Sequence, residues 1–242
     1  MYEMNIEIPF TRTGADGLLR LPDAVGLMMD CCQFQEYQEA EFCRFLRENN
    51  IAIFLLSIQI DILRFPRFRE QVRSRVKIYG CKSIYGLRSL TIHDHAGNLC
   101  MIANATGAFV DLKNQKAIKF NPADLPIKFD EAEKMECLSR KIPIPPGGGS
   151  MDADWRVTPS VVDYNGHLTS HVYFALASDS LPEDFCFNRV RMEYKKQAKI
   201  NDVITPEVFL TGSTAVVNML NKHGESLATA EFSTADIAAH IG

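Results

Sequence analysis

The hydrophobic and polar positions of this chain follow two periods, one of a strand and one of a helix, and the pair of patterns occurs twice. Residues 4 to 12 alternate with period two and predict a strand. A helical pattern opens at Leu21, where Pro22 suits a first helical turn, and extends to about Asn49. Alternation then predicts four strands at about 53 to 64, 71 to 81, 83 to 95 and 99 to 111. The first half should therefore form one long helix and an antiparallel sheet.

A second run of elements repeats this order after a connector. Residues 121 to 150 are rich in proline and glycine and predict that connector. The next patterns predict a strand at about 153 to 163, a helix at about 170 to 181, and strands at about 187 to 196, 202 to 212, 214 to 222 and 226 to 237. We therefore expect an α+β chain with an N-terminal unit (1 to 138), a linker (139 to 152) and a C-terminal unit (153 to 242).

Composition narrows the class of protein. The 242 residues are 46% hydrophobic and 23% charged, enough for one large core or two modest cores. The first residues carry two acids where a signal peptide needs basic residues, and no apolar stretch approaches membrane-spanning length, so we expect a cytoplasmic protein without membrane contact. The net charge of -4 gives no reason to expect nucleic acid. Seven scattered cysteines without a C-x-x-C motif predict reduced thiols, and we expect neither a metal nor a cofactor.

Candidate chemistry lies in the segment that opens the second helix. Asp163, Asn165 and His167 occupy alternate positions, so in an extended segment their side chains project to one side. A carboxylate, an amide and an imidazole beside the free N–H groups of a helix favour hydrolysis of an acyl compound. The alternative is an Asx-type turn that caps the helix and leaves a surface histidine. The spacing alone leaves both interpretations open.

The same segment resembles the Asp-x-Asn-x-His-Val-Asn-Asn-x-x-Tyr signature of hotdog-fold thioesterases, and most closely that of the fatty-acyl-ACP thioesterases of plants and bacteria. Asp163, Asn165, His167 and Tyr173 match the signature, whereas Leu168, Thr169 and Ser170 replace its valine and two asparagines. The later Asp179-Ser180-Leu181-Pro182 is similar to the family's acid-Ser-x-Pro sequence. The resemblance implies a double hotdog, two tandem units in which a sheet wraps a helix, that hydrolyses fatty acyl-ACP to a free fatty acid and ACP.

Roles for individual residues follow from the resemblance. Asp163 would act as a general base or as a nucleophile, while Asn165 and His167 would orient water or substrate and stabilise the oxyanion. Tyr173 and His171 are lesser candidates for support. Plant members commonly have Tyr-basic-basic-Glu-Cys on the following strand, but here Gln197 and Ala198 stand where that glutamate and cysteine would be. Gln197 could therefore bind water or hold Asp163, but it could equally be an exposed strand residue.

A gap-free alignment of the two halves pairs Asp163 with Asp16. In that register Asn165 falls on Leu18 and His167 on Arg20, so the first unit is expected to keep an acid without the amide and the imidazole. We therefore expect one active site per chain, in the second unit. The first unit would form a wall of the acyl channel.

The carrier of the acyl group is indicated less directly. Acyl carrier protein is acidic, so its docking surface should be basic. Two basic clusters comprise Arg64, Arg67, Arg69, Arg73, Arg75 and Lys77, and Arg189, Arg191, Lys195, Lys196 and Lys199. Seven of these residues are the docking candidates, namely Arg64, Arg67, Arg69, Arg189, Arg191, Lys195 and Lys196.

Other interpretations of these features remain open. A CoA ester would use similar charge, and basic residues also keep strand edges soluble. An acyl-CoA thioesterase and a non-hydrolytic acyl-binding module are the alternative functions. A tandem chain is compatible with a monomer or a homodimer.

Overall fold

The computed structural model describes residues 1–240, which form three α-helices and twelve strands. The helices are α1 (Leu21–Gln38), α2 (Ala40–Glu48) and α3 (Ser170–Asp179). The strands of the first half are β1 (Tyr2–Glu7), β2 (Ile51–Ile62), β3 (Gln71–Lys82), β4 (Tyr85–Asp94), β5 (Leu99–Asp111) and β6 (Lys116–Ala117). Those of the second half are β7 (Ser150–Met151), β8 (Trp155–Arg156), β9 (Arg189–Tyr194), β10 (Val203–Thr211), β11 (Thr214–Asn221) and β12 (Ser226–Ser233).

All the strands belong to one antiparallel sheet with the order β1-β3-β4-β5-β2-β9-β12-β11-β10-β7, to which β6 and β8 add at β5 and β10. The two halves join where β2 pairs with β9, from Ser57 opposite Glu193 to Asp61 opposite Arg189. Helix α1 packs on β1, β3 and β4, and α3 packs on β12 and on α1. The predicted two-unit α+β arrangement is confirmed.

The core lies between the helices and one face of this sheet. Along β2, Ile58, Ile60 and Ile62 are buried on the helix side, in one cluster with Met28 of α1 and Phe174 of α3. Each such side chain contributes roughly 1.5–3 kcal/mol when it leaves water. Because this cluster contains residues from both halves, the two units stabilise one another.

The connector covers the other face of the sheet at the junction of the units. Gln59 projects to that face, where its amide donates to the carbonyl oxygen of Glu136 at 2.7 Å and accepts from the N–H of Leu138 at 2.9 Å. The carboxylate of Glu193 accepts from the N–H of Ile142 at 3.1 Å. The domain limits proposed from the sequence put their boundary within this connector.

Three predicted elements need correction. The first helix is interrupted at Glu39, whose ψ of 69° leaves the helical region, so α1 and α2 are separate helices. The strand expected over 4 to 12 ends at Glu7, and that expected over 153 to 163 is reduced to β8. Both give way to a 3-10 turn beside a proline, Pro9 in the first half and Pro159 in the second, because proline has no N–H to donate to a ladder. None of the helices in residues 1–240 is long and apolar enough to cross a membrane.

Candidate active site

The segment that carries Asp163, Asn165 and His167 forms a tight hairpin turn before α3. The N–H of Asp163 donates to the carbonyl oxygen of His167 at 2.8 Å, and the N–H of Gly166 donates to the carbonyl oxygen of Asp163 at 2.9 Å. Gly166 has a φ of +76°, a region that glycine enters without the steric cost of a side chain. The turn therefore exists in this form because residue 166 is a glycine.

The carboxylate of Asp163 organises this turn with one of its two oxygens. Its Oδ1 accepts the N–H groups of Asn165 at 2.8 Å and of His167 at 3.1 Å. Its Oδ2 takes no hydrogen bond from any residue in 1–240. The Asx-type turn considered as an alternative is thus present, but it occupies only Oδ1 and leaves Oδ2 for a water molecule or a substrate.

The turn is anchored to the loop between β9 and β10. Ala198 accepts the N–H of Leu168 at 2.9 Å, and its own N–H donates to the hydroxyl oxygen of Tyr173 at 3.1 Å. Tyr173 is 3% exposed and packs edge-to-face on Tyr194. Burial raises the pKa of Tyr173 to about 12, so its hydroxyl stays protonated. Through Ala198, the Tyr173 hydroxyl is thus linked to the backbone of Leu168, next to His167.

Helix α3 begins without a capping side chain. The hydroxyl of Thr169, at the N-cap position, donates instead to the carbonyl oxygen of Val161 at 3.1 Å. Ser170 and His171, whose N–H groups are among the first of α3, line the same cavity as Asp163. Such groups and the helix dipole favour a negative charge at this position.

His171 occupies the contact between the two helices. A Cβ atom at Gly26 of α1 would lie 3.9 Å from the imidazole carbon Cγ, so the ring packs directly against α1. Burial lowers the pKa of His171, Asp23 and Asp30 act in the opposite direction, and Arg12 lowers it further. Its neutral form is therefore favoured next to the site.

A cavity of about 1090 Å³ connects this turn with the first unit. Its volume suits a ligand larger than a single small metabolite. Near the turn it is lined by Asp163, Asn165, His167 and Gln197, along α1 by Gly26, Met29, Gln33 and Glu36, and at its far end by Phe42, Phe109, Leu125, Ile127 and Phe129. The first unit thus forms most of the far wall, and the second unit supplies the polar turn.

Residues 1–123, which make up half of the chain, match the family model of the acyl-ACP thioesterase N-terminal domain. The chain belongs to the acyl-ACP thioesterase family. It is accordingly a thioester hydrolase. The matched residues are those of the first unit, whereas the polar turn lies in the second. No curated protein is similar enough in sequence to match the chain.

Solved structures of similar shape extend the likeness of this family member over both units. An acyl-ACP thioesterase from Bacteroides thetaiotaomicron is 15% identical with a TM-score of 0.78, and 96% of each chain is covered. A 12:0-ACP thioesterase from Umbellularia californica is 11% identical with a TM-score of 0.78, also over 96% of each chain. At these identities the likeness shows the fold, and the double-hotdog prediction is confirmed.

The first unit contains the same turn in a register that differs from the sequence alignment. The N–H of Gly14 donates to the carbonyl oxygen of Leu18 at 2.9 Å, as that of Asp163 does to His167. Gly14 is therefore equivalent to Asp163, 149 residues later. The alignment of Asp16 with Asp163 was wrong by two residues, because it matched two aspartates that serve the turn from different positions.

In the correct register the first unit lacks all three polar residues. Gly14, Asp16 and Leu18 stand in place of the aspartate, the asparagine and the histidine. The carboxylate of Asp16 reaches the turn from its own position and accepts the N–H of Leu18 at 2.9 Å. The expectation that the first unit keeps the acid at the position of Asp163 was therefore wrong, since Gly14 stands there. This absence supports the prediction of one polar site per chain, in the second unit.

Two docking candidates are held within the outer face of the sheet. The guanidinium of Arg189 binds both oxygens of Asp61 at 2.6 Å and Glu136 at 2.6 Å, and its side chain is 5% exposed. Arg191 donates to Glu231 at 2.7 Å and to the connector carbonyl oxygen of Ser139 at 2.7 Å. Outward-facing strand positions are covered here by the connector, so these arginines do not form a docking surface.

The three docking candidates of the first unit differ in their ion pairs and in their exposure. Arg64 binds Glu70 at 2.5 Å and Asp94 at 3.0 Å, and these two acids with Cys100 are the group of possible metal ligands in residues 1–240, already bridged by an arginine. Arg67 and Arg69 are exposed.

The two lysine candidates are exposed but already have partners. Lys195 donates to Ser226 at 3.0 Å and to Thr229 at 2.8 Å, and Lys196 pairs with Glu225 at 2.7 Å. Gln197 is also exposed, but it lies in the loop between β9 and β10 and lines the cavity, so the expectation of a strand residue was wrong. Its role in binding water or holding Asp163 stays a prediction.

Sequence reasoning missed two charged residues of the cavity. Arg88 lies at an inward position of β4, in alternation with the buried Leu90 and Ile92, and its guanidinium donates to Glu36 of α1 at 3.0 Å. The signal was available, since a charged residue at an inward position of an alternating strand needs a partner.

Proposed function

We propose that this chain hydrolyses fatty acyl-ACP to a free fatty acid and ACP, with Asp163 as the residue that activates water. The observation that carries the proposal is the carboxylate of Asp163, which is fixed through Oδ1 by two backbone N–H groups and keeps Oδ2 available at a large cavity. A fixed carboxylate with one available oxygen suits a general base. The same oxygen could instead attack the carbonyl carbon directly, as a nucleophile.

The reaction would proceed through a tetrahedral intermediate. Water loses a proton to Asp163 and adds to the thioester carbonyl carbon, which places a negative charge on the carbonyl oxygen. Asn165 and His167 line the cavity with the start of α3, and their side chains and the first N–H groups of α3 would stabilise that charge. Collapse breaks the carbon–sulfur bond, and the departing thiolate takes up the proton held by Asp163.

The carrier is proposed from charge. An acidic carrier protein requires a basic surface, and Arg67 and Arg69 remain exposed for it, with Lys195 and Lys196 at the cavity. The acyl group would extend into the part of the cavity lined by the first unit. The expected cytoplasmic location stays a prediction, as do the absence of nucleic-acid and membrane partners and the choice between monomer and homodimer.

Thiol release from matched acyl-ACP and acyl-CoA substrates tests this proposal. The change Asp163→Asn keeps an oxygen that can accept the two turn N–H groups, so the fold should survive while kcat falls by about 10²- to 10⁴-fold. Asp16→Asn, at the corresponding turn of the first unit, is the matched control and should leave kcat unchanged. Near-normal turnover by Asp163→Asn would refute the assigned role. Faster turnover of the CoA esters would favour an acyl-CoA thioesterase, and acyl binding without thiol release would favour a binding module.

A further inference from the structure

The partly buried ion pair between Arg88 and Glu36 lies in the wall of the cavity that is proposed to hold the acyl chain. The two side chains are only 15% and 23% exposed, and their contact joins β4 to α1 across the cavity. Cys32 is 3% exposed and neighbours the pair, and burial raises its pKa, so it remains a neutral thiol. Removing two charges from water costs free energy that their mutual contact and further polar partners offset, so a polar ligand atom is favoured beside the pair over a plain alkyl chain.

The guanidinium of Arg88 has donors to spare. Of its five N–H donors, one at Nη2 donates to the carboxylate of Glu36 at 3.0 Å, and the neighbouring thiol of Cys32 accepts another. Among residues 1–240 no carbonyl oxygen accepts from the group, so up to three donors have no partner there. A ligand oxygen in the cavity could therefore accept a hydrogen bond from Arg88 without disturbing Glu36. A hydrogen bond to a charged donor is stronger than one between neutral groups.

The pair lies between the polar turn and the apolar end of the cavity. On one side, Gly26 of α1 contacts His171 beside the polar turn, and Glu36 lies ten residues further along the same helix, towards Phe42 of α2. On the other side, Gly86 shares the inward face of β4 with Arg88, and a Cβ atom at Gly86 would lie 3.3 Å from the ring of Phe109. The order along the cavity is thus polar turn, ion pair and apolar end.

We propose that the preferred acyl group carries a hydroxyl or oxo oxygen on its chain, which accepts a hydrogen bond from Arg88, with an apolar tail that occupies the cavity beyond it. The inference rests on the proposed function for the assignment of the cavity to an acyl chain. It concerns the class of acyl group, and it makes Arg88 a residue that determines specificity.

The test uses acyl-ACPs of matched length, unsubstituted or with a hydroxyl or oxo group at successive carbons. Binding of the corresponding acyl-pantetheine amides, which cannot be hydrolysed as thioesters, is measured in parallel by calorimetry. The variant Arg88→Met/Glu36→Leu removes both charges together, so that neither remains buried without a partner. Lys77→Met/Glu133→Leu, which removes a partly buried ion pair outside the cavity, is the matched control. Arg88→Lys keeps the charge if the double variant at Arg88 and Glu36 does not fold.

We expect the wild type and Lys77→Met/Glu133→Leu to favour at least one oxygenated chain by about tenfold in kcat/KM and in affinity. The double variant should lose that preference and accept the unsubstituted chain at least as well, while Arg88→Lys should keep part of it. Equal or better use of unsubstituted chains by the wild type would overturn the inference and leave the proposed function standing. If no thiol is released from any carrier, the proposed function fails, and the amides still decide whether Arg88 selects an oxygenated chain.

Discussion

Gly14 and Asp163 occupy equivalent positions in the two units, where each donates its N–H to the carbonyl oxygen four residues later, at 2.9 Å and 2.8 Å. Gly14, in the first unit, has no side chain at this position, whereas Asp163, in the second unit, has the carboxylate proposed for catalysis. The two units therefore provide internal controls, because a change in the second turn can be compared with the same change in the first.

Gly166 and Gly17 form the first such comparison, with φ values of +76° and +74° and open space around each. Alanine at either position should lower the free energy of unfolding by roughly 1–2 kcal/mol, because the left-handed region is costly with a side chain. Chemical denaturation and turnover measure the two effects. Gly166→Ala should also reduce kcat, whereas an equal loss of kcat in Gly17→Ala would show that only general stability matters.

Tyr173→Phe should lower kcat by loosening the backbone of the turn, and not by removing a contact with the substrate. The change leaves the buried N–H of Ala198 without an acceptor, at a cost of about 1–3 kcal/mol, and loosens the backbone beside His167. We expect kcat to fall more than KM changes, measured by steady-state kinetics. Tyr79→Phe is the control, since the Tyr79 hydroxyl accepts from Asn104 at 2.7 Å within the first unit, and kcat should not respond to its loss.

Replacing both Arg67 and Arg69 by glutamine should raise KM for acyl-ACP severalfold and leave KM for acyl-pantetheine unchanged. Docking charges act on the carrier protein, and their effect should weaken as salt is added. The exposed Lys141 in the connector supplies the control Lys141→Gln. If KM rises equally for both substrates, the arginines act on the acyl or pantetheine part and not on the carrier.

His171 should make stability depend on pH. Burial depresses its pKa in the folded state, so the unfolded chain takes up the proton first as the pH falls below about 6.5. Stability is then present above that pH and is lost as the pH falls towards the folded-state value. Urea unfolding between pH 7.5 and 5.5 should show a smaller decline in His171→Gln than in the wild type. His93, whose pKa burial also lowers, is unchanged in the variant, so the difference isolates His171. If the stabilities of the wild type and of His171→Gln fall equally with pH, His171 does not cause the pH dependence.

The periodic elements of this fold could be predicted from sequence, but their partners could not. Strand β5 was expected at 99 to 111 and is Leu99–Asp111, because alternation is a local property. The pairing of Asp61 with Arg189 depends on residues 128 positions apart, which no local pattern reveals. Arg189 was therefore predicted as a surface residue, although it is buried.

The candidate site was predictable where the chemistry is contiguous. Asp163, Asn165 and His167 line one cavity as expected, since they lie within one turn. The contact of Arg88 with Glu36 joins a strand to a helix. It was missed because its two residues are far apart in the sequence, as are Asp61 and Arg189. The alignment of the units failed because identical residues, Asp16 and Asp163, were given more weight than the glycine at which each turn bends.

The single sheet that runs through β2 and β9 has a consequence for how such a site can change over time. In a dimer of two identical chains, every substitution near one opening appears at the other, so both openings must stay able to perform the reaction. Here the two halves are encoded separately but cannot part without exposing the edges of β2 and β9. A substitution in one half therefore has no counterpart in the other, and each opening can carry its own set of side chains.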